Sequence, residues 1–71
     1  MAAEGTDHYA VLQVDPRACP QVIDAAFVVL RAMALRQGAD GSYRRLVELN
    51  RAHHVLSDTG RRTEYDEART R

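Results

Sequence analysis

Two runs of helical hydrophobic periodicity meet at a single turn, Gly38-Ala39-Asp40-Gly41-Ser42, and this pairing constrains the fold more than any other feature of the chain. Before the turn, Ile23, Ala26, Phe27, Leu30 and Ala34 fall in one stripe, predicting a helix from Pro20 to about Arg36. After it, Tyr43, Leu46, Leu49, His53 and Leu56 share a face, predicting a helix from Ser42 or Tyr43 to Leu56. Gly38 and Gly41 lack a Cβ and so accept the positive φ that a tight reversal needs. A short connection between two long helices makes them antiparallel neighbours.

The flanking signals define a short helix on each side. The Asp7 carboxylate is suited to accept the free amides of a helix starting at His8. That helix is expected to span His8 to Val14, presenting Tyr9, Leu12 and Val11 to a core, and to stop at Asp15-Pro16. Pro20 fits a helix first turn, where its missing amide costs nothing, and Cys19 then takes the cap position as a weak acceptor. Ser57, Asp58, Thr59 and Gly60 break the third helix. A last helix is expected from Arg61 to about Arg69, with Tyr65 facing the body and Arg61, Arg62, Glu64 and Glu67 facing solvent. No stretch alternates with period two, so no sheet is expected. The fold class is all-α, with one domain over 7–69 and Met1 to Thr6 as a flexible leader.

Size and charge narrow the function. Seventy-one residues suffice for one domain with a thin core, because a chain this short buries only roughly 60% of its unfolded surface. Hydrophobic residues at 45% are too many for a disordered tail. Ten basic residues, all Arg, balance ten acidic ones, and a neutral chain lacks the one-signed field of non-specific nucleic-acid binding. The lone Cys19 excludes an internal disulfide or a multi-Cys zinc site. No segment reads as a signal peptide, and no apolar run approaches the roughly 20 residues that span a bilayer. A cytoplasmic protein without membrane partners is the expectation.

No set of acid, base and nucleophile converges, so the chain is not expected to be an enzyme, and no cofactor or metal is implied. Adjacent His53 and His54 point about 100° apart on a helix and cannot chelate one ion through one face. His53 reads instead as a packed, hydrogen-bonded side chain. Cys19 has no neighbouring base and reads as a cap-proximal filler. Gly38 to Gly41 has too few glycines for a phosphate loop. Arg44, Arg45 and Arg51, with Arg61 and Arg62, read as a solvated surface partnered by Glu48, Glu64 and Glu67.

Four segments carry a resemblance. Asp7-His8-Tyr9-Ala10-Val11-Leu12-Gln13-Val14 is similar to the Asp-Tyr-Tyr-x-Val-Leu-Gly-Val that opens a J domain, the DnaJ-type co-chaperone module. Ile23, Ala26, Phe27 and Leu30 stand at that family's Ile, Ala, Tyr and Leu positions, which assigns this stripe to the core. Leu49-Asn50-Arg51-Ala52-His53-His54-Val55-Leu56-Ser57-Asp58 resembles Ile-Asn-Glu-Ala-Tyr-Glu-Val-Leu-Ser-Asp, and places His53 at a core Tyr position. Arg61-Arg62-Thr63-Glu64-Tyr65-Asp66 resembles Lys-Arg-Arg-Glu-Tyr-Asp. The segments occur in order and at family spacing from Asp7 to Asp66. The resemblance implies a J-domain-like long antiparallel hairpin braced by a short helix at each end.

The departure lies where that family's chemistry sits. J domains carry His-Pro-Asp at the end of the second helix, and the tripeptide stimulates ATP hydrolysis by a DnaK-type chaperone. Leu35, Arg36 and Gln37 occupy those positions here, and His-Pro-Asp occurs nowhere in the chain. The basic outer face of the family's second helix is also missing: the equivalent positions are Asp24, Ala25, Val28, Val29 and Met33, and only Arg31 and Arg36 have the family's sign. The implied role is a protein-interaction module that regulates or adapts without triggering the ATPase. Two alternatives are a functional co-chaperone with a non-standard turn and a small nucleic-acid module using Arg44, Arg45, Arg61 and Arg62.

The second helix is apolar nearly all round, which normally means burial on more than one side. A chain of this length has too little material to cover both sides. Val22, Val28, Val29, Met33 and Leu35 are therefore expected to meet a protein: another J-like protein, a second copy, or a DnaK-type chaperone.

Overall fold

The computed structural model describes residues 7–38 and 42–70, and all its regular structure is helical. Four helices follow in order: α1 over His8–Val11, α2 over Pro20–Gln37, α3 over Ser42–Leu56 and α4 over Thr59–Arg69. The leader Met1 to Thr6 and the turn residues Ala39 to Gly41 lie outside the described residues.

Asp7 caps α1 as expected, its Oδ1 accepting from the amides of Tyr9 at 3.0 Å and Ala10 at 3.4 Å. The helix ends earlier than the Asp15-Pro16 signal suggested. Leu12 is its C-cap, and Gln13 takes a left-handed φ of 58°. The Gln13 amide donates to the Ala10 carbonyl and the Val14 amide to the Tyr9 carbonyl, both at 3.0 Å. This paired closure uses up the last helical carbonyls and turns the chain before the proline is reached.

α2 begins at Pro20 with Cys19 at the cap and no side-chain bond from the thiol. It ends at Gly38, whose φ of 55° is the left-handed stop that glycine permits. α4 starts two residues before the expected Arg61. The Asp58 carboxylate accepts the Arg61 amide at 2.9 Å, which makes Asp58 a cap rather than a breaker.

The core consists of Tyr9 and Leu12 from α1 and its cap, Ile23, Leu30 and Ala34 from α2, and Leu49, Ala52 and Leu56 from α3. α3 packs against each of the other three helices. The stripe expected on α2 is in place, with Ala26 and Phe27 half-buried beside its three buried members. On α3 the face is corrected at one end. Tyr43 is 79% exposed, and Ala52 is buried instead. The small Ala52 side chain, in the second half of α3, lets the neighbouring helices approach closely, whereas Tyr43 in the first turn stands out in solvent. Among the described residues no helix is long and apolar enough to cross a membrane.

Candidate functional site

All five residues expected to meet a partner are exposed: Val22, Val28, Val29, Met33 and Leu35. They do not form one patch. At about 100° per residue, Val22, Val29 and Met33 lie within roughly 40° of arc, while Val28 and Leu35 stand about 120° round the helix. Val22 and Val29 of the first group line a shallow groove of about 420 Å³, and Met33 stands one turn beyond Val29. One wall is the reversal after α1, formed by Leu12, Gln13 and Val14, and the floor is α2 at Val22, Ala25, Ala26, Val29 and Leu30. No charged side chain lines it. The second group shares its side of α2 with Asp24 and Arg31, next to the seam with α3.

That seam is held by His53. Its ring stacks on Phe27, with centroids 4.1 Å apart and planes 12° apart. Its Nε2 lies 2.9 Å from Asp24 Oδ1. His53 is thus the packed, hydrogen-bonded side chain the sequence suggested, tying the first half of α2 to the last turn of α3. The His53 ring is half-buried, engaged through one face and Nε2, and His54 points out to solvent.

Leu35, Arg36 and Gln37 fall within the last turn of α2, all exposed, with the helical backbone continuing through them to Gly38. They present no acid, base or strained backbone. Cys19 is exposed and free.

The structure adds a cluster that sequence reasoning placed in solvent. Arg62 was expected to face water, yet its side chain is only 18% exposed. Its Nε donates to the Tyr9 hydroxyl at 3.0 Å, and its Nη2 donates to the carbonyls of Pro16 at 3.0 Å and Ala18 at 2.7 Å. The Tyr9 hydroxyl in turn donates to Asp66 Oδ1 at 2.6 Å. Arg69 lies over the Tyr9 ring, 5.1 Å from its centroid, and 3.8 Å from an Asp7 oxygen. Burial, and then the hydrogen bond to Asp66, raise the Tyr9 phenol above its ordinary pKa. The readable signal was the spacing of Arg62, Tyr65, Asp66 and Arg69, which share one side of α4.

Next to this cluster, the Tyr65 hydroxyl accepts the His8 amide at 2.9 Å, and the two rings lie 4.7 Å apart. His8 Nδ1 is buried with no hydrogen-bond partner. Burial and then the nearby Arg51 charge lower the His8 pKa, outweighing the attraction of Asp7.

The arginine surface is also redistributed. Arg62 is engaged inside the fold, and Arg61 remains exposed while donating to the His54 carbonyl at 2.9 Å. The ion pairs found among the described residues join Arg17 to Asp15, His53 to Asp24, Arg62 to Asp66 and Arg69 to Asp7, rather than using Glu48, Glu64 or Glu67. Among the described residues no three His, Cys, Asp or Glu are grouped to hold a metal ion.

No known family model, curated protein or solved structure matches this chain.

Proposed function

We propose that the chain is a J-like protein-interaction module, related to DnaJ-type co-chaperones, that engages a protein partner without triggering a DnaK-type ATPase. The observation that carries the reading is the end of α2. Leu35, Arg36 and Gln37 stand at the positions of the resembled His-Pro-Asp, and they continue the helix with three side chains unable to act as that tripeptide does. The four resembling segments, Asp7 to Val14, Ala18 to Leu30, Leu49 to Asp58 and Arg61 to Asp66, support the scaffold half of the reading. The proposed arrangement is a long antiparallel α2–α3 hairpin braced by α1 and α4.

The exposed apolar residues of α2 support the interaction half. The basic character that would steer a J domain to an acidic chaperone surface is absent there: Val28 and Val29 are exposed, and Asp24 is tied to His53. The nucleic-acid alternative is weakened, because Arg62, one of its four arginines, is committed inside the fold.

A DnaK-type ATPase assay tests the proposal. Adding this chain is expected to leave the basal hydrolysis rate unchanged, whereas a His-Pro-Asp J domain in the same assay raises it. Stimulation by this chain would overturn the reading and favour a co-chaperone with a non-standard turn.

A further inference from the structure

We infer that Val22, Ala26, Val29 and Met33 form the contact between two copies of this chain, packed with their α2 helices antiparallel. The inference rests on the proposed interaction role of α2, but not on the J-like resemblance.

Charge limits what the surface accepts. These four side chains lie within about 60° of arc, and the charged residues in the middle of α2, Asp24 and Arg31, stand on the opposite side. A charged segment laid in the groove would lose its hydration and find no counter-ion there. The occupant is therefore an uncharged apolar stripe, and α2 itself presents one.

Shape makes the stripe complementary to itself. Reversing one α2 about the level between Phe27 and Val28 sets Ala26 against Val29 of the second copy, and Val22 against its Met33. Each contact then pairs a smaller side chain with a larger one. Ala26 lies on the groove floor beneath Leu12 and Val14, so the Val29 side chain of the second copy enters the recess that the small residue leaves. Such a contact is isologous and closes at two copies.

The direction follows from Arg36, the cation nearest the end of the stripe. In the antiparallel pair the Arg36 of one copy sits at the level of Cys19 in the other, so the two guanidinium groups are about 25 Å apart along the axis. That exceeds the screening length of roughly 8 Å at physiological salt. A parallel pair would hold them side by side. Opposed helix dipoles favour the same direction.

Size sets the strength. An 18-residue helix is about 27 Å long, and one helix-length contact falls below the roughly 1,200 Å² of a stable interface. The dimer is consequently reversible and depends on concentration.

Sedimentation equilibrium from micromolar to millimolar protein tests this. The wild-type chain is expected to rise from the mass of one copy toward that of two, and Val29→Asp to stay at one throughout. Val29 is exposed, so the variant is expected to keep the wild-type circular dichroism and melting temperature. Disulfide trapping reads the direction. In a Cys19→Ser background, Val22→Cys and Met33→Cys are expected to cross-link when mixed but not separately. A wild-type chain that stays monomeric at millimolar concentration overturns the inference. So does a dimer unaffected by Val29→Asp, or efficient cross-linking of each cysteine variant with itself. A monomer that still fails to stimulate the ATPase would leave the proposed function standing, which separates the two failures.

Discussion

The Tyr9 hydroxyl donates a 2.6 Å hydrogen bond to the Asp66 carboxylate while accepting one from Arg62, joining the first helix to the last through one buried oxygen. Removing that oxygen leaves the core filled and isolates the polar contribution. Tyr9→Phe is expected to lower unfolding free energy by about 1.5–3 kcal/mol, since the bond is to a charged acceptor. Urea denaturation checks this, with an unchanged denaturant slope showing that the fold is otherwise kept.

The same phenol sets an alkaline limit. Its folded pKa lies above the unfolded value, so the folded state holds the proton more tightly. The stability this contributes is present below about pH 10 and is lost as pH rises through the folded value. Melting temperature followed from pH 9 upward is expected to fall less steeply in Tyr9→Phe than in the wild type.

His8 acts with the opposite sign on the acid side. Its folded pKa is depressed, so the unfolded chain takes up the proton first. Its contribution is complete above about pH 6.5 and declines as pH falls below that value. In His8→Phe the decline between neutrality and the carboxylate range is expected to flatten, as followed by thermal melts at stepped pH.

Gln13 offers a gain. Its left-handed φ costs an L-residue about 1–2 kcal/mol, and glycine adopts it freely at some cost in unfolded-state entropy. Gln13→Gly is expected to stabilise the chain by about 0.5–1 kcal/mol, read as a higher urea midpoint.

Arg62 and Arg61 are neighbours with different fates. Arg62→Met strips donors from the Tyr9 hydroxyl and from the carbonyls of Pro16 and Ala18, and is expected to destabilise by roughly 2–3 kcal/mol. Arg61→Met, losing one exposed bond to the His54 carbonyl, is expected to stay within about 0.5 kcal/mol of wild type. Chemical denaturation of the two variants side by side makes the comparison.

These contrasts show how far the sequence could be read. Ile23, Leu30 and Ala34 were legible because helical spacing fixes which residues share a side, and α2 is long enough for the period to repeat. The caps at Asp7 and Cys19 were legible from local chemistry. The end of α1 was not, because Gln13 carries no sign of a left-handed backbone and Pro16 offered a more obvious stop. Arg62 was misplaced for a different reason. Its acceptors, the Tyr9 hydroxyl and two loop carbonyls, lie 44 to 53 residues away, and periodicity carries no information about partners at that separation. The candidate surface was legible as a list of exposed residues. Its division into Val22, Val29 and Met33 on one side and Val28 and Leu35 on the other follows from helical spacing, but the groove that Leu12, Gln13 and Val14 make beside the first group does not, because it depends on the reversal after α1.

The reach of Arg62 has a consequence for the order of assembly. α1 is a single turn held in two ways: Tyr9 and Leu12 are buried in the core beside α2 and α3, and its polar anchors, Arg62, Tyr65 and Asp66, all belong to the final helix, so its attachment is complete only once α4 is in place. α2 and α3 need only a short loop closure to meet, which makes their pairing the earlier event. Asp66→Asn is accordingly expected to raise the unfolding rate more than it lowers the folding rate, and Leu49→Ala to lower the folding rate more, as read from the two arms of a denaturant chevron.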